Sequence, residues 1–188
     1  AIIEKEKIVA SEEDIEKEII IVSNLTKCAG STTTTLNLAK YISNLGILSA
    51  VVEPPFCSPT IFHWMGIEER LNKDGVAGKD NFYSYPHEIF KGERLKSKSE
   101  YIFDNIVWII PDDRKEMIKS WDYNQMIKLI YASSVAPITI IDIGDNLFHD
   151  SVKPILASVD IILVLIDPFP TICMRENHKL EELLKLKE

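Results

Sequence analysis

The chain predicts a three-layer α/β domain on a doubly wound, mostly parallel sheet. Short runs of continuous Ile, Val and Leu recur along it, and strands of that kind are buried on both faces, as parallel strands are. Helical stripes or cap signals separate the runs, which gives βαβ units. Gly30, Glu53, Asp142 and Asp167 fall where these runs or their loops end. In doubly wound sheets that edge holds the ligand.

Residues 1–17 are dominated by charge and predict a linker, a solvated helix or the tail of an upstream domain. Ile19–Val22 predicts the first strand, followed by a polar loop and Gly30. A helix starts near Thr32 and runs towards Gly46, with Leu38, Tyr41, Ile42 and Leu45 at i, i+3, i+4 and i+7. Leu48–Val52 is the second strand. Ser58–Pro59 has the form of an N-cap and first-turn proline, opening a short helix to Met65. Residues 66–104 carry little pattern and predict loop with short helices. Asn105–Ile110 is a strand closed by Pro111, and Tyr123, Met126, Ile127, Ile130 and Tyr131 form a helical stripe. Ile138–Ile141 is a strand ending at Asp142. Asp150–Ala157 predicts a short helix, Asp160–Ile166 a strand, and the stretch from about Arg175 a final helix carrying Leu180, Leu183 and Leu184.

A length of 188 residues suffices for one domain with a real core. The net charge of −8 argues against a broad nucleic-acid-binding face, which needs clustered Lys and Arg. The longest apolar run, Ile161–Ile166, is too short to span a bilayer as a helix. Cys28, Cys57 and Cys173 lack metal spacing, and an odd cysteine count with no signal peptide predicts a reducing, cytoplasmic setting. His63, His87, His149 and His178 are too scattered for a metal site or a triad, and Trp64, Trp108 and Trp121 are expected to pack. Ala1 in place of Met, and an end inside a helical pattern, predict a fragment.

The strand–loop–helix segment from Glu18 to Gly46 has the layout of a phosphate-binding loop. A helix N-terminus offers free N–H groups and the positive end of its dipole to an anion. The pattern GxxxxGK[ST] wants Lys after its last glycine, and Ser31 stands there. Thr32–Thr35 taken alone also fit an ordinary N-capping run. Cys28, near the helix start, is either a reactive thiol or a small buried filler.

Together these strand ends resemble the ParA/MinD family of deviant P-loop ATPases, over roughly residues 18–185. The family's loop reads KGGxGKTT followed by NLA. Asn37–Leu38–Ala39 anchors the match and puts Gly30 at the last loop glycine. The resemblance implies a P-loop NTPase-like fold, with nucleotide held by Lys27, Cys28, Ala29, Gly30, Ser31, Thr32 and Thr33. It implies Mg2+ on Thr32 and Asp142, with Asp142 and Glu53 as catalytic acids. Departures from the pattern are specific. Ser31 replaces the phosphate lysine, Thr26 falls on the family's extra loop lysine with Lys27 one place later, and Cys28 replaces a glycine. Glu53–Pro54–Pro55 keeps the first acid of Asp-x-Asp-Pro and puts Pro55 at the second. IIDIGD matches the Walker B strand, with Gly144 in the switch-like turn. The pilus-localisation branch, TadZ or CpaE, is the nearest match, and the family's later, base-recognising strands lack a counterpart.

Three functions follow from the resemblance. One is a bacterial localisation or scaffold protein with a degraded site, a pseudo-ATPase or very weak ATPase that needs no cofactor to fold. Its partners would be proteins, including a second copy, with recruitment to a pole or membrane complex. Another is an ATP-driven dimerising switch of the partition or septum-site type, with weak ATP and Mg2+ binding. The third is a metabolic ligase on the same fold.

Overall fold

The structure is a computed structural model, and it describes residues 17–73, 82–95, 101–167 and 169–185. The charged opening segment lies outside these, apart from Lys17. Six strands form one sheet: β1 (Glu18–Asn24), β2 (Ser49–Val52), β3 (Ile102–Phe103), β4 (Ile106–Ile109), β5 (Ile138–Asp142) and β6 (Ile161–Leu165). Their order is β3-β4-β2-β5-β1-β6, parallel throughout except for the β3–β4 hairpin. The predicted fold class is therefore the observed one.

The described residues also hold six helices: α1 (Ser31–Asn44), α2 (Ile61–Trp64), α3 (Ile67–Lys73), α4 (Tyr85–Phe90), α5 (Tyr123–Ser133) and α6 (Pro170–Lys185). A 3-10 turn, Lys153–Ser158, stands where a short helix was expected. The two faces of the sheet carry two cores. Val22, Val51, Ile140 and Trp108 pack with Ala39 and Ile42 of α1. Ile21, Val52, Ile109 and Ile141 pack with Met126 and Leu129 of α5. Alternate residues of each strand thus serve opposite faces.

Several sequence expectations need correction. In α1 the buried residues are Ser31, Thr35, Ala39 and Ile42, while Tyr41 and Leu45 are exposed. Parallel-sheet packing brings the helix close to the strands, and small residues allow that approach. In α5 the buried set is Met126, Leu129, Ala132 and Ser133, with Tyr123, Ile127 and Tyr131 facing out. Trp64 is exposed, whereas Trp108 and Trp121 are buried. Ser58 has φ 52 and caps nothing, since α2 begins after Thr60. The last helix starts at Pro170, earlier than Arg175, because proline suits a first turn. Leu183 packs on the core, but Leu184 is exposed.

Candidate functional site

The carboxyl ends of β1, β2 and β5 meet along one edge, with Val22 level with Asp142 and Val52 level with Ile141. The turn after β5 is stitched to β1. Ile143 N–H donates to the Val22 carbonyl at 3.1 Å. The Gly144 carbonyl accepts Asn24 N–H at 2.7 Å and the Ser23 hydroxyl at 2.9 Å. The loop from Leu25 to Gly30 then rises from this stitched edge to α1.

Gly30 is the residue before α1, at φ 102, a left-handed conformation that glycine adopts freely. A Cβ built there meets nothing within 4 Å, so the space above it is open to a ligand. Thr34 N–H makes the first ladder bond, to the Gly30 carbonyl at 2.9 Å. The earlier N–H groups, Thr32 and Thr33 among them, lie ahead of the helix ladder. These features fit an anion at the loop.

Ser31 does not point into that space. It is 2 % exposed, and its backbone N–H donates to Asn24 Oδ1 at 2.9 Å. Asn24 Nδ2 donates in turn to the Ser31 hydroxyl at 3.0 Å. Asn24, the last residue of β1, is the side-chain cap of a helix whose own N-cap glycine has none. Sequence reasoning missed it, because nothing in the string ties an asparagine to a serine seven places on. Lys27 and Cys28 are exposed at the loop tip, and Ala29, Thr32 and Gly30 are half-buried. Cys28 sits at φ 63, so the position asks for the glycine that it replaces. The Thr26 hydroxyl is buried without a partner among the described residues.

Asp142 is 2 % exposed at the end of β5. Its Oδ1 accepts Gly144 N–H at 3.1 Å, and its Oδ2 is buried with no partner among the described residues. An orphaned carboxylate oxygen is costly unless something binds it. Among the described residues no group of three His, Cys, Asp or Glu side chains could hold a metal. Mg2+ at a nucleotide needs few protein ligands, because phosphate oxygens and waters complete its shell. The unpartnered Asp142 oxygen is the group observed here that suits such a limited role.

Glu53 is buried at the end of β2. Its Oε1 accepts Thr60 N–H at 2.8 Å and Ile61 N–H at 3.2 Å, capping α2. Burial pushes its pKa up to about 8. The two N–H groups pull the other way, and Asp142 and Asp113 add to the rise. Glu53 is thus mostly a neutral acid at pH 7, committed to a cap. Cys57 follows in the same loop. Burial raises its thiol pKa well above the ordinary value, with Asp142, Glu53 and Asp145 adding to it. Phe56 stacks on His149 from the turn after β5, with centroids 4.1 Å apart and planes within 3°. The loops after β2 and β5 therefore touch one another beside Asp142. Asp167, the fourth expected strand-end residue, sits past β6, where its Oδ1 accepts Phe169 N–H at 3.0 Å.

No protein-family model and no curated protein matches the chain. Solved structures do match. A plasmid partition protein from Borrelia burgdorferi B31, bound to AMPPNP, is 15% identical, with a TM-score of 0.62 over 90% of this chain and 70% of that one. The kinase domain of the Escherichia coli tyrosine kinase ETK is 14% identical, with a TM-score of 0.62 over 92% and 64%. The pNOB8 ParA bound to nonspecific DNA is 19% identical, with a TM-score of 0.55 over 90% and 60%. The chain thus has the fold of ParA-type P-loop proteins, a fold that also carries a tyrosine kinase. No helix among the described residues is long and apolar enough to cross a membrane.

Proposed function

We propose that this is a ParA/MinD-like localisation or scaffold protein whose nucleotide site is degraded, in the manner of the TadZ/CpaE branch. The observation that carries a ligand site at all is Asp142, a buried carboxylate with an orphaned oxygen beside an open, glycine-ended loop. Nucleotide would lie at Lys27–Thr33, with Mg2+ on the Thr32 and Asp142 side. Three features support weak binding and little chemistry. Ser31 supplies no ammonium and is buried against Asn24. Pro55 supplies no carboxylate. Glu53 is held as a largely protonated cap. Phosphoryl transfer relies on positive charge and on an oriented nucleophile, and this chain offers little of either.

The partners proposed are proteins, a second copy included. A net charge of −8 speaks against a broad DNA-binding face, although one fold neighbour binds nonspecific DNA. A second reading, an ATP-driven switch, draws on the orphaned Asp142 oxygen and on AMPPNP in the Borrelia neighbour.

Phosphate release and calorimetry on the purified protein with ATP and Mg2+ separate the two. The expected result is weak binding and release at background. Robust turnover that disappears in Asp142→Ala and Thr32→Ala would overturn the pseudo-ATPase reading and establish the switch.

A further inference from the structure

We infer that the outward face of α5 pairs two copies of this chain, with Ile127 on the two-fold axis and Tyr123 of each copy seated in a recess of the other. The inference deepens the protein-partner part of the reading above and is independent of nucleotide. Tyr123, Ile127 and Tyr131 stand four residues apart and share one helix face. They are 43%, 41% and 75% exposed, and Val135 continues the row just past the helix at 47%. Apolar residues scattered singly on a surface are ordinary, whereas a contiguous patch marks a contact site. Between Tyr123 and Ser133 the only charged residue is Lys128. In a chain of net charge −8, two copies repel over most of their surface. A tyrosine-bearing helix face without an acid is where they can meet.

The row runs into a recess at its C-terminal end. This recess, about 210 Å3 in volume, is lined by Ile130 and Tyr131 of α5, by Ala136 and Pro137 beyond it and by Ile19 of β1, and its surface is apolar. An apolar cavity of about 150 Å3 holds benzene, so a phenol ring fits the space. One face thus carries a projecting ring at one end and a hollow at the other. Tyr123 and the recess residue Tyr131 each lie four residues from Ile127, about 6 Å along the helix. A two-fold rotation about an axis through Ile127 lays the two helices antiparallel and brings each Tyr123 level with the recess of the other copy. Both recesses are filled by the same operation, as an isologous contact requires. The recess lies at the amino ends of β1 and β5, on the opposite edge from Asp142, so the nucleotide site stays open in the pair. One helix face gives less than the roughly 800 Å2 per partner of a standard interface, so the dimer is weak and concentration-dependent.

Sedimentation of the purified protein over on the order of 10 to 500 micromolar, with and without ATP–Mg2+, tests the pairing. The mass should rise from monomer towards dimer equally in both conditions. Ile127→Glu sets two acids face to face at the axis and should weaken pairing roughly tenfold or more, with the melting temperature of the monomer unchanged. Tyr123→Ala empties the recess and should weaken pairing about tenfold, the scale of an aromatic anchor. Should Ile127→Glu not fold, Ile127→Ser and Tyr123→Ala carry the same test. A wild type that stays monomeric at every concentration overturns the inference and leaves the protein-partner reading to partners of other chemistry. A dimer that the folded variants leave intact lies on another surface and overturns the inference as well. Pairing that needs ATP–Mg2+ overturns it too, and favours the switch reading instead.

Discussion

At the carboxyl end of β5, Asp142 uses one oxygen on Gly144 N–H and leaves the other buried and unpartnered. At the carboxyl end of β2, two strand-order neighbours share the same edge, yet Glu53 directs its carboxyl into two N–H groups of α2 and is pushed up to about 8. Both acids are buried at equivalent heights of one sheet. One is committed to structure; the other keeps an oxygen with no partner among the described residues. The longer glutamate side chain reaches the start of α2, and the Pro54–Pro55 turn carries the chain round to place that helix within reach. Position at a strand end thus nominates a residue, and the neighbouring helix start decides its role.

The largest effect should come from replacing the unpartnered oxygen of Asp142. Asp142→Asn keeps the acceptor for Gly144 N–H and puts an amide nitrogen, which cannot ligate a cation, where Oδ2 stood. The ligand-free protein should change by less than about 1–3 kcal/mol, since the amide nitrogen stands as unpartnered as the oxygen it replaces. Magnesium-assisted nucleotide affinity should fall about tenfold or more. Denaturant melts and calorimetry read the two effects. Lower stability combined with unchanged Mg2+ dependence would erase the contrast with Glu53.

Glu53 gives the second effect, and its sign is fixed by linkage. A folded-state pKa above the unfolded value means that the folded protein holds the extra proton between about 4.3 and about 8. Stability should therefore fall as pH rises through that window and level off above it. Glu53→Gln retains the Oε1 acceptor for Thr60 and Ile61 and removes the titration. It should match wild type near pH 5 and exceed it at pH 8 by on the order of a few kcal/mol. Parallel pH profiles for the two proteins would show that Glu53 ionises freely.

Ser31→Lys sharpens the comparison on the loop side. A buried serine engaged on both its N–H and its hydroxyl would give way to a long cation, at a stability cost of about 1–2 kcal/mol. The regained phosphate contact should tighten ATP binding by roughly ten- to a hundredfold. A folded variant with no gain would mean that the missing ammonium is not what weakens the site.

Most of the fold was legible because each central strand is a continuous apolar run and each run is punctuated. Asp142 was legible for the same reason, at the end of an Ile-rich strand, and Gly30 as the glycine that closes the loop before α1. The buried face of α1 was not. Its inward residues Ser31, Thr35 and Ala39 are small or polar, so the apolar stripe pointed one position round the helix. Glu53's commitment to α2 was hidden because the cap comes from seven residues upstream of Thr60, outside any local capping pattern. Asn24 was missed likewise, since its partner lies across the loop. β3, two residues long, has no period to detect.

The smallest effect concerns the loop tip. Cys28 adopts φ 63, in the region where a Cβ crowds the backbone carbonyl and costs roughly 1–2 kcal/mol. Glycine removes that crowding but gives the unfolded chain more freedom, which returns roughly 0.5–1 kcal/mol. Cys28→Gly should therefore stabilise the protein by about 0.5–1 kcal/mol, the difference of those two terms. Thermal melts under reducing conditions can resolve a change of that size. The side chain is exposed and buries nothing, so no packing loss offsets the gain. A destabilised Cys28→Gly would mean that the thiol side chain makes a contact which holds the loop. The open space above Gly30 would then be the property of an ordered loop that depends on Cys28, and the anion side of the comparison would need that residue as well.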